Sequence, residues 1–253
     1  MNPFHSQKIR TEGSKCDVDG DVACYLIHGF TGSPFEYEDL GVFLASKGIS
    51  SVCDLLPGHG TTVEDCNNTK LNQWIEKVQE GYSKLTSQKK EVFVIGFSMG
   101  SALAFLLAEQ NTLPGIIIYA PLYKINILKS MLISVGKYFK DYETKLKIYK
   151  NSEIKDFYGY TVYPLLGTVE AMKLVKKSSS VLNGISCPVI LMHSTNDVTT
   201  PHTNSQIIYD KLGSQDKRLV SFKDSNHMLM CDVEKEEVWE NTLQFIKKHS
   251  RYL

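Results

Sequence analysis

Ser98 stands at the centre of Gly96-Phe97-Ser98-Met99-Gly100, which follows directly on the apolar run 91–95. A serine on a tight turn between a strand and a helix presents its hydroxyl as a nucleophile. The glycines two residues to either side let the strained backbone fold without a Cβ clash. A hydroxyl attacks only once a base takes its proton, so the chain must also supply a histidine and an acid to orient it. Of the seven histidines, His227 sits late, in Asp224-Ser225-Asn226-His227-Met228, where the order serine, acid, histidine needs the base. His202 and His249 read as solvated bystanders on helices. The acid is expected after the strand that precedes this region, which selects Asp197 in Asn196-Asp197-Val198-Thr199-Thr200-Pro201. Asp224 lies too close along the loop to His227 to orient it easily, and Asp232 is the other rival.

Attack on a carbonyl creates an oxyanion that needs donors already aimed at it. The loop His28-Gly29-Phe30-Thr31-Gly32 is placed to supply one, and the backbone N–H groups of Phe30 and Met99 are the expected pair. Their side chains are then free to line an acyl pocket. His28 reads as a structural hydrogen-bonding residue beneath the loop. The PGHG run at residues 57–60 lacks the lysine and spacing of a phosphate-binding loop. It is expected to be a tight loop near the site entrance, with His59 either structural or substrate-lining.

These residues need elements to hold them. Apolar runs predict strands at residues 22–27, 49–55, 92–97, 115–120, 188–193 and 218–222. Helical patterns fall between them at 34–47, 71–86, 101–109, 202–212 and 233–248. Strands alternating with helices predict an α/β fold with a mostly parallel sheet covered on both faces. Trp74, Val78 and Trp239 are expected to pack in the core from their helices. Residues 121–186 break the alternation, with helix-like stretches such as 126–135. So long a detour reads as a cap inserted over the carboxyl edge of the sheet, with residues 1–120 and 187–253 forming the core. Its apolar residues suit an aliphatic acyl chain, and its lysines, Lys137, Lys140 and Lys145 among them, read as a solvated face open to transient contact with a lipid interface.

With 253 residues, 42% of them hydrophobic, the chain can bury one sizeable core. Lysine plus arginine and aspartate plus glutamate both number 28, so no global charge favours nucleic acid as a partner. No apolar run reaches the ~18 residues of a membrane span and the first residues lack a secretory h-region, which predicts a cytoplasmic protein with no stable membrane insertion. Six cysteines without a CxxC pair predict reduced, mostly buried thiols.

HGFTGSP at 28–34, PGHG at 57–60, GFSMG at 96–100, NDVTTP at 196–201 and the late SNH at 225–227 together resemble the bacterial carboxylesterase and monoacylglycerol lipase group of the α/β-hydrolases. The likeness spans nearly the whole chain and is weakest across residues 121–186. It implies an α/β-hydrolase fold with a small helical lid, no metal or organic cofactor, and small-molecule acyl esters or monoacylglycerols as substrates. By position it makes Ser98 the nucleophile, Asp197 the acid, His227 the base, and Phe30 with Met99 the oxyanion hole. Ser101 departs from the glycine or alanine frequent at that position. The same machinery also serves acyltransferases and thioesterases, and the scaffold can serve as a non-enzymatic ligand-binding protein.

Overall fold

The computed structural model describes residues 11–124, 136, 138, 140–145 and 159–253. Its centre is a seven-stranded sheet in the order β1 (Ser14–Cys16), β3 (Ser50–Cys53), β2 (Val22–Ile27), β4 (Glu91–Phe97), β5 (Ile116–Tyr119), β8 (Val189–Ser194), β9 (Lys217–Phe222). Only β1 runs antiparallel, against β3. Its sequence, Ser14-Lys15-Cys16, is too short and polar to carry a strand pattern, so the sequence reads it as part of a leader. The other six strands are parallel, as the alternation predicts.

The wholly buried strands divide their side chains between two cores. Ala23, Tyr25, Ile27, Val92, Val94, Ile116 and Ile118 face one, under α3 (Leu71–Thr86), α4 (Met99–Gln110) and α5 (Leu165–Ser179). Val22, Cys24, Leu26, Phe93, Ile95, Ile117 and Tyr119 face the other, under α1 (Glu38–Ala45) and α7 (Lys235–His249). This is the period-two alternation of strands covered on both faces, each large apolar side chain contributing roughly 1.5–3 kcal/mol by leaving water. Trp74 and Val78 lie in the first core as expected. Trp239 differs: it is half-buried and covers the second core beside Phe43, its indole N–H donating to Met230 O at 2.9 Å.

Two short elements escape the sequence pattern. One is α2 (Val63–Asn68), started by the Thr62 side chain accepting from Asp65 N. The other is the two-stranded ribbon of β6 (Tyr142–Thr144) and β7 (Val162–Pro164), which lies with α5 between β5 and β8 in the chain. The last turn of α5 holds Lys176 and Lys177. Helix α6 (Thr203–Lys211) follows β8. The helix-like run 126–135 and Lys137 lie outside the described residues. All six cysteines are free thiols, Cys24, Cys53 and Cys66 buried.

Chain order around β2 and β4 decides where chemistry can occur. From β2 the chain moves out to β3, then returns to the other side of β2 as β4, so the loops leaving β2 and β4 diverge at their carboxyl ends. Such a switch point opens a crevice. Ile27 pairs with Gly96 across it, setting the loop that begins at His28 beside the turn at Ser98.

Candidate active site

Ser98 is held at φ 52°, ψ −116°, a conformation that costs a non-glycine residue free energy and persists only when its surroundings enforce it. They enforce it by contact. A Cβ on Gly96 would sit 2.7 Å from Gly100 O, and one on Gly100 would sit 2.1 Å from Ile27 O. The strand and helix therefore approach too closely for side chains at either position. Ser101 uses its hydroxyl here, donating to Gly96 O at 3.1 Å and Tyr119 O at 3.4 Å, which ties the first turn of α4 to the sheet.

The Ser98 hydroxyl lies 3.0 Å from His227 Nε2, and His227 Nδ1 lies 2.6 Å from Asp197 Oδ2. Three residues far apart in the chain thus meet at the carboxyl edge of the sheet. A carboxylate accepts only, so the Nδ1 proton points to Asp197 and Nε2 is left to receive the serine proton. Asp197 Oδ1 accepts from the backbone N–H groups of Thr199 at 2.7 Å and Thr200 at 2.8 Å. Its Oδ2 also accepts from Thr200 Oγ1 at 2.8 Å and faces His193 Nε2 at 3.0 Å. Burial alone would raise this carboxyl, but the pull of His227 and the bonds from His193 and His227 outweigh it and hold Asp197 far below the ordinary carboxylate range.

Neither rival acid takes that place. Asp232 is fully buried and accepts from Asn226 N at 2.8 Å, and Glu234 accepts from the N–H groups of Lys223, Asp224 and Ser225. Together they shape the loop that carries His227. Phe97 supports the base from the side, its ring centroid 4.8 Å from that of His227.

On the other side of Ser98, the turn from Gly29 O to Gly32 N closes around Phe30 and Thr31, and Thr31 adopts φ 63°. Met99 is the first residue of α4, so its N–H has no carbonyl one turn back to bond. His28 lies beneath the loop as expected, donating from Nδ1 to Gly29 O at 2.9 Å and accepting Leu56 N–H on Nε2 at 3.0 Å, with burial pushing it down to about 4. Three residues that the sequence gives no reason to select secure the loop. Glu36 Oε2 accepts from Gly29 N at 2.9 Å, Lys145 Nζ donates to Thr31 Oγ1 at 2.5 Å, and Tyr160 N donates to Thr31 O at 2.8 Å. Burial pushes Glu36 up to about 8, while Gly29 N–H and the facing Lys145 pull the other way. Burial likewise pushes Lys145 down to about 7, opposed by Glu36.

A cavity of about 380 Å³ opens over Ser98 and His227. Phe30 and Met99 line it, with Leu122, Leu165, Val175 and Met228 extending its apolar wall. Thr31, Glu36, Glu143, Lys124 and Lys145 supply its polar side. His59 does not line it, which corrects the substrate-lining option: it is 2% exposed, packed against His28, Phe30, Trp74 and Tyr160, and bonded through Nδ1 to Pro57 O. Among the described residues, no cluster of histidine, cysteine or carboxylate groups is arranged to hold a metal ion. No helix among them is long and apolar enough to cross a membrane.

Residues 20–234 match the hydrolase family model described as serine aminopeptidase, S33. The thermostable monoacylglycerol lipase of Bacillus sp. (strain H-257) is 29% identical over 233 residues, covering 92% of this chain and 93% of that protein. The carboxylesterase of Bacillus subtilis (strain 168) is 25% identical over 234 residues, covering 90% and 94%. A solved structure from the metagenome-derived lipolytic enzymes LipS and LipT superposes with a TM-score of 0.87 at 24% identity, over 94% of this chain and 98% of its own. The Paleococcus ferrophilus monoacylglycerol lipase does so at 0.79 and 19% identity, over 94% and 98%. The α/β-hydrolase fold expected from the motifs stands.

Proposed function

This chain belongs to the serine aminopeptidase S33 family of hydrolases, and on that premise we propose that it hydrolyses carboxylic esters, short- to medium-chain acyl esters or monoacylglycerols, through an acyl-enzyme on Ser98. The observation that carries this reading is the hydrogen-bonded series Ser98, His227, Asp197 at the floor of a largely apolar cavity. Ser98 Oγ attacks the ester carbonyl as its proton passes to His227 Nε2. The tetrahedral oxyanion is held by the N–H groups of Phe30 and Met99. On collapse the alcohol leaves with the proton from His227. Water then gives a proton to His227, attacks the acyl carbonyl, and releases the acid as Ser98 recovers its hydrogen.

In this reading the insertion at residues 121–186 is the cap, and of its described residues Leu122, Leu165 and Val175 stand in the cavity's apolar wall. That wall favours an acyl chain, and the monoacylglycerol lipase and carboxylesterase names of the similar Bacillus proteins point the same way. The family's descriptive name includes an aminopeptidase, but the cavity's polar side sets Lys124 and Lys145 beside Glu36 and Glu143 rather than a cluster of carboxylates alone, and it is the apolar wall that favours esters. Contact with a lipid interface, where it occurs, is transient and made through the cap.

The test is a series of initial rates on p-nitrophenyl esters from acetyl to palmitoyl and on monoacylglycerols of matching lengths, with Ser98→Ala as control. The expected result is turnover peaking at short to medium chains and lowered on the order of 10³-fold or more in the variant. Wild-type turnover by Ser98→Ala sinks the assignment, and turnover only with an added alcohol or thiol acceptor makes the enzyme an acyltransferase.

A further inference from the structure

The hydrogen-bonded series at Ser98 continues past Asp197. His193, in β8, is fully buried, with Nε2 3.0 Å from Asp197 Oδ2 and 2.9 Å from Thr200 O. Both partners are acceptors, so Nε2 carries the proton. Nδ1, left with a lone pair, lies 2.6 Å from the hydroxyl of Ser205 in α6, which is also fully buried and donates to it. Read across the carboxylate, the order is Ser98, His227, Asp197, His193, Ser205. Two imidazoles share one carboxylate oxygen, each with a serine hydroxyl on its far nitrogen.

The two ends differ in what surrounds them. Ser98 opens into the cavity, whereas Ser205 is enclosed and meets His193 through Nδ1 rather than Nε2, so it holds a tautomer and has no substrate to attack. His193 spreads part of the Asp197 charge away from His227. In a buried site such a donor acts at high electrostatic strength, and partners one step removed affect the group they orient. We propose that His193, fixed in its Nε2–H tautomer by Ser205, is a positioning residue that acts through Asp197 on His227. It sets how strongly the carboxylate attracts the imidazolium formed during acyl transfer. This rests on Ser98, Asp197 and His227 being the reacting unit. The titratable groups facing His193 are Asp197, His227 from the loop after β9, and His202 at the amino end of α6, its ring centroid 5.4 Å away and its Nε2 2.8 Å from Ser221 Oγ.

The experiment measures the rate at which a fluorophosphonate probe modifies Ser98 between pH 4 and 9, beside hydrolysis of p-nitrophenyl butyrate. Phosphonylation needs an activated serine but no ester substrate, so an enzyme that reacts with the probe and spares every ester defeats the ester reading while still testing His193. In His193→Phe the reaction on the acid side, near pH 5, slows on the order of ten-fold while the plateau at higher pH is kept or raised, with KM for the ester within about two-fold. The acid limb of the rate profile moves to higher pH, because a carboxylate no longer shared holds the His227 imidazolium more tightly. His193→Gln, which keeps an amide donor in reach, restores rate and limb in large part, and Ser205→Ala moves the limb the same way by less. Wild-type rate and limb in His193→Phe overturn the proposal. So does a slow reaction with the limb unmoved and unrescued by Gln, the mark of a residue that only packs. Should His193→Phe not fold, the Ser205→Ala limb decides. An unreactive Ser98 in the wild-type protein overturns the proposal and the reading beneath it together.

Discussion

The two sides of Ser98 are built on different plans. The side proposed to move the proton is compact: Asp197 is held by Thr199 and Thr200 beside it in the chain and by His193 four residues earlier. Donors occupy both carboxylate oxygens within 3.0 Å, and Asp197, Thr200, His193 and His227 are buried. The side proposed to face the oxyanion is assembled from afar. Its loop rests on Glu36 from below, and on Lys145 and Tyr160, more than a hundred residues away, from the β6–β7 ribbon. A carboxylate with every lone pair engaged has one charge state across the working range. The other side carries buried Glu36, which desolvation pushes up to about 8, and half-buried Lys145, which desolvation pushes down to about 7. One half of the site is therefore fixed by local turns, and the other responds to the inserted segment and to pH.

The sharpest break of this contrast is Asp197→Asn. The amide keeps the shape, and its oxygen can still accept from Thr199 and Thr200, but its NH₂ group now faces His227 Nδ1 and favours the tautomer with the proton on Nε2. The base is then blocked. The expected result is a loss on the order of 10³- to 10⁴-fold in kcat with the fold intact by circular dichroism. A loss of less than about ten-fold would remove Asp197 from the reacting unit.

The same contrast explains what could be read from the sequence. The tight turn at Ser98 and the loop positions of Asp197 and His227 follow from short-range rules: glycines where backbones meet, an apolar strand before the turn, and chain order along a parallel sheet. The central parallel strands were legible because β2, β4, β5 and β8 are runs of buried, mostly apolar residues. What escaped depends on contacts between distant segments. His193 lies within a strand, where a histidine at an apolar position gives no sign that its ring turns toward a loop four residues on. Glu36 reads as one more acidic residue near the start of a helix, and Lys145 as one lysine among many in a basic stretch. His59, bracketed by glycines, reads as a loop residue near the entrance, yet the aromatic rings around it draw it inside. β1 was lost because three polar residues acquire strand identity only from the edge of β3.

A second prediction separates the oxyanion side from simple pocket lining. Lys145 donates to Thr31 Oγ1, and Thr31 in turn donates to Phe30 O at 2.5 Å. The Lys145 side chain thus steadies the residue proposed to offer its N–H to the oxyanion. Lys145→Met keeps most of the apolar stem and removes the donor. It should lower kcat on the order of ten-fold for acetyl and butyryl esters alike, with KM little changed, since a donor that acts only as charge develops is lost from kcat. Lys145→Arg should recover part of it. A change confined to KM, and growing with acyl length, would make Lys145 a wall of the pocket and leave the oxyanion side independent of the ribbon.

The smallest effect is the most specific, because it depends on pH alone. Glu36 touches the oxyanion loop through Gly29 N, one residue from Phe30, and burial pushes its carboxyl up to about 8 against the opposing pull of Lys145. Below that pH the group is a neutral acceptor. Above it the carboxylate places negative charge beside the oxyanion, while Lys145, pushed down to about 7, has lost its positive charge. Both changes oppose the transition state, so kcat should decline a few-fold between pH 7.5 and 9 in the wild-type enzyme. Glu36→Gln, which keeps an oxygen for Gly29 N, should flatten about half of that decline and leave the rate at pH 6.5 within about two-fold. Stability carries the same signature. Between the ordinary glutamate value and about 8, the folded protein binds more protons at Glu36 than the unfolded chain, so this group costs stability progressively as pH rises through that window. The neutral amide has no such cost. The two proteins should therefore melt together near pH 4.5, and the melting temperature of Glu36→Gln should pull ahead as pH rises to 8, with no further gap above it. Parallel melting curves across that range would mean that Glu36 is ionised throughout and paired with Lys145. The oxyanion side would then be as fixed in charge as the side that moves the proton.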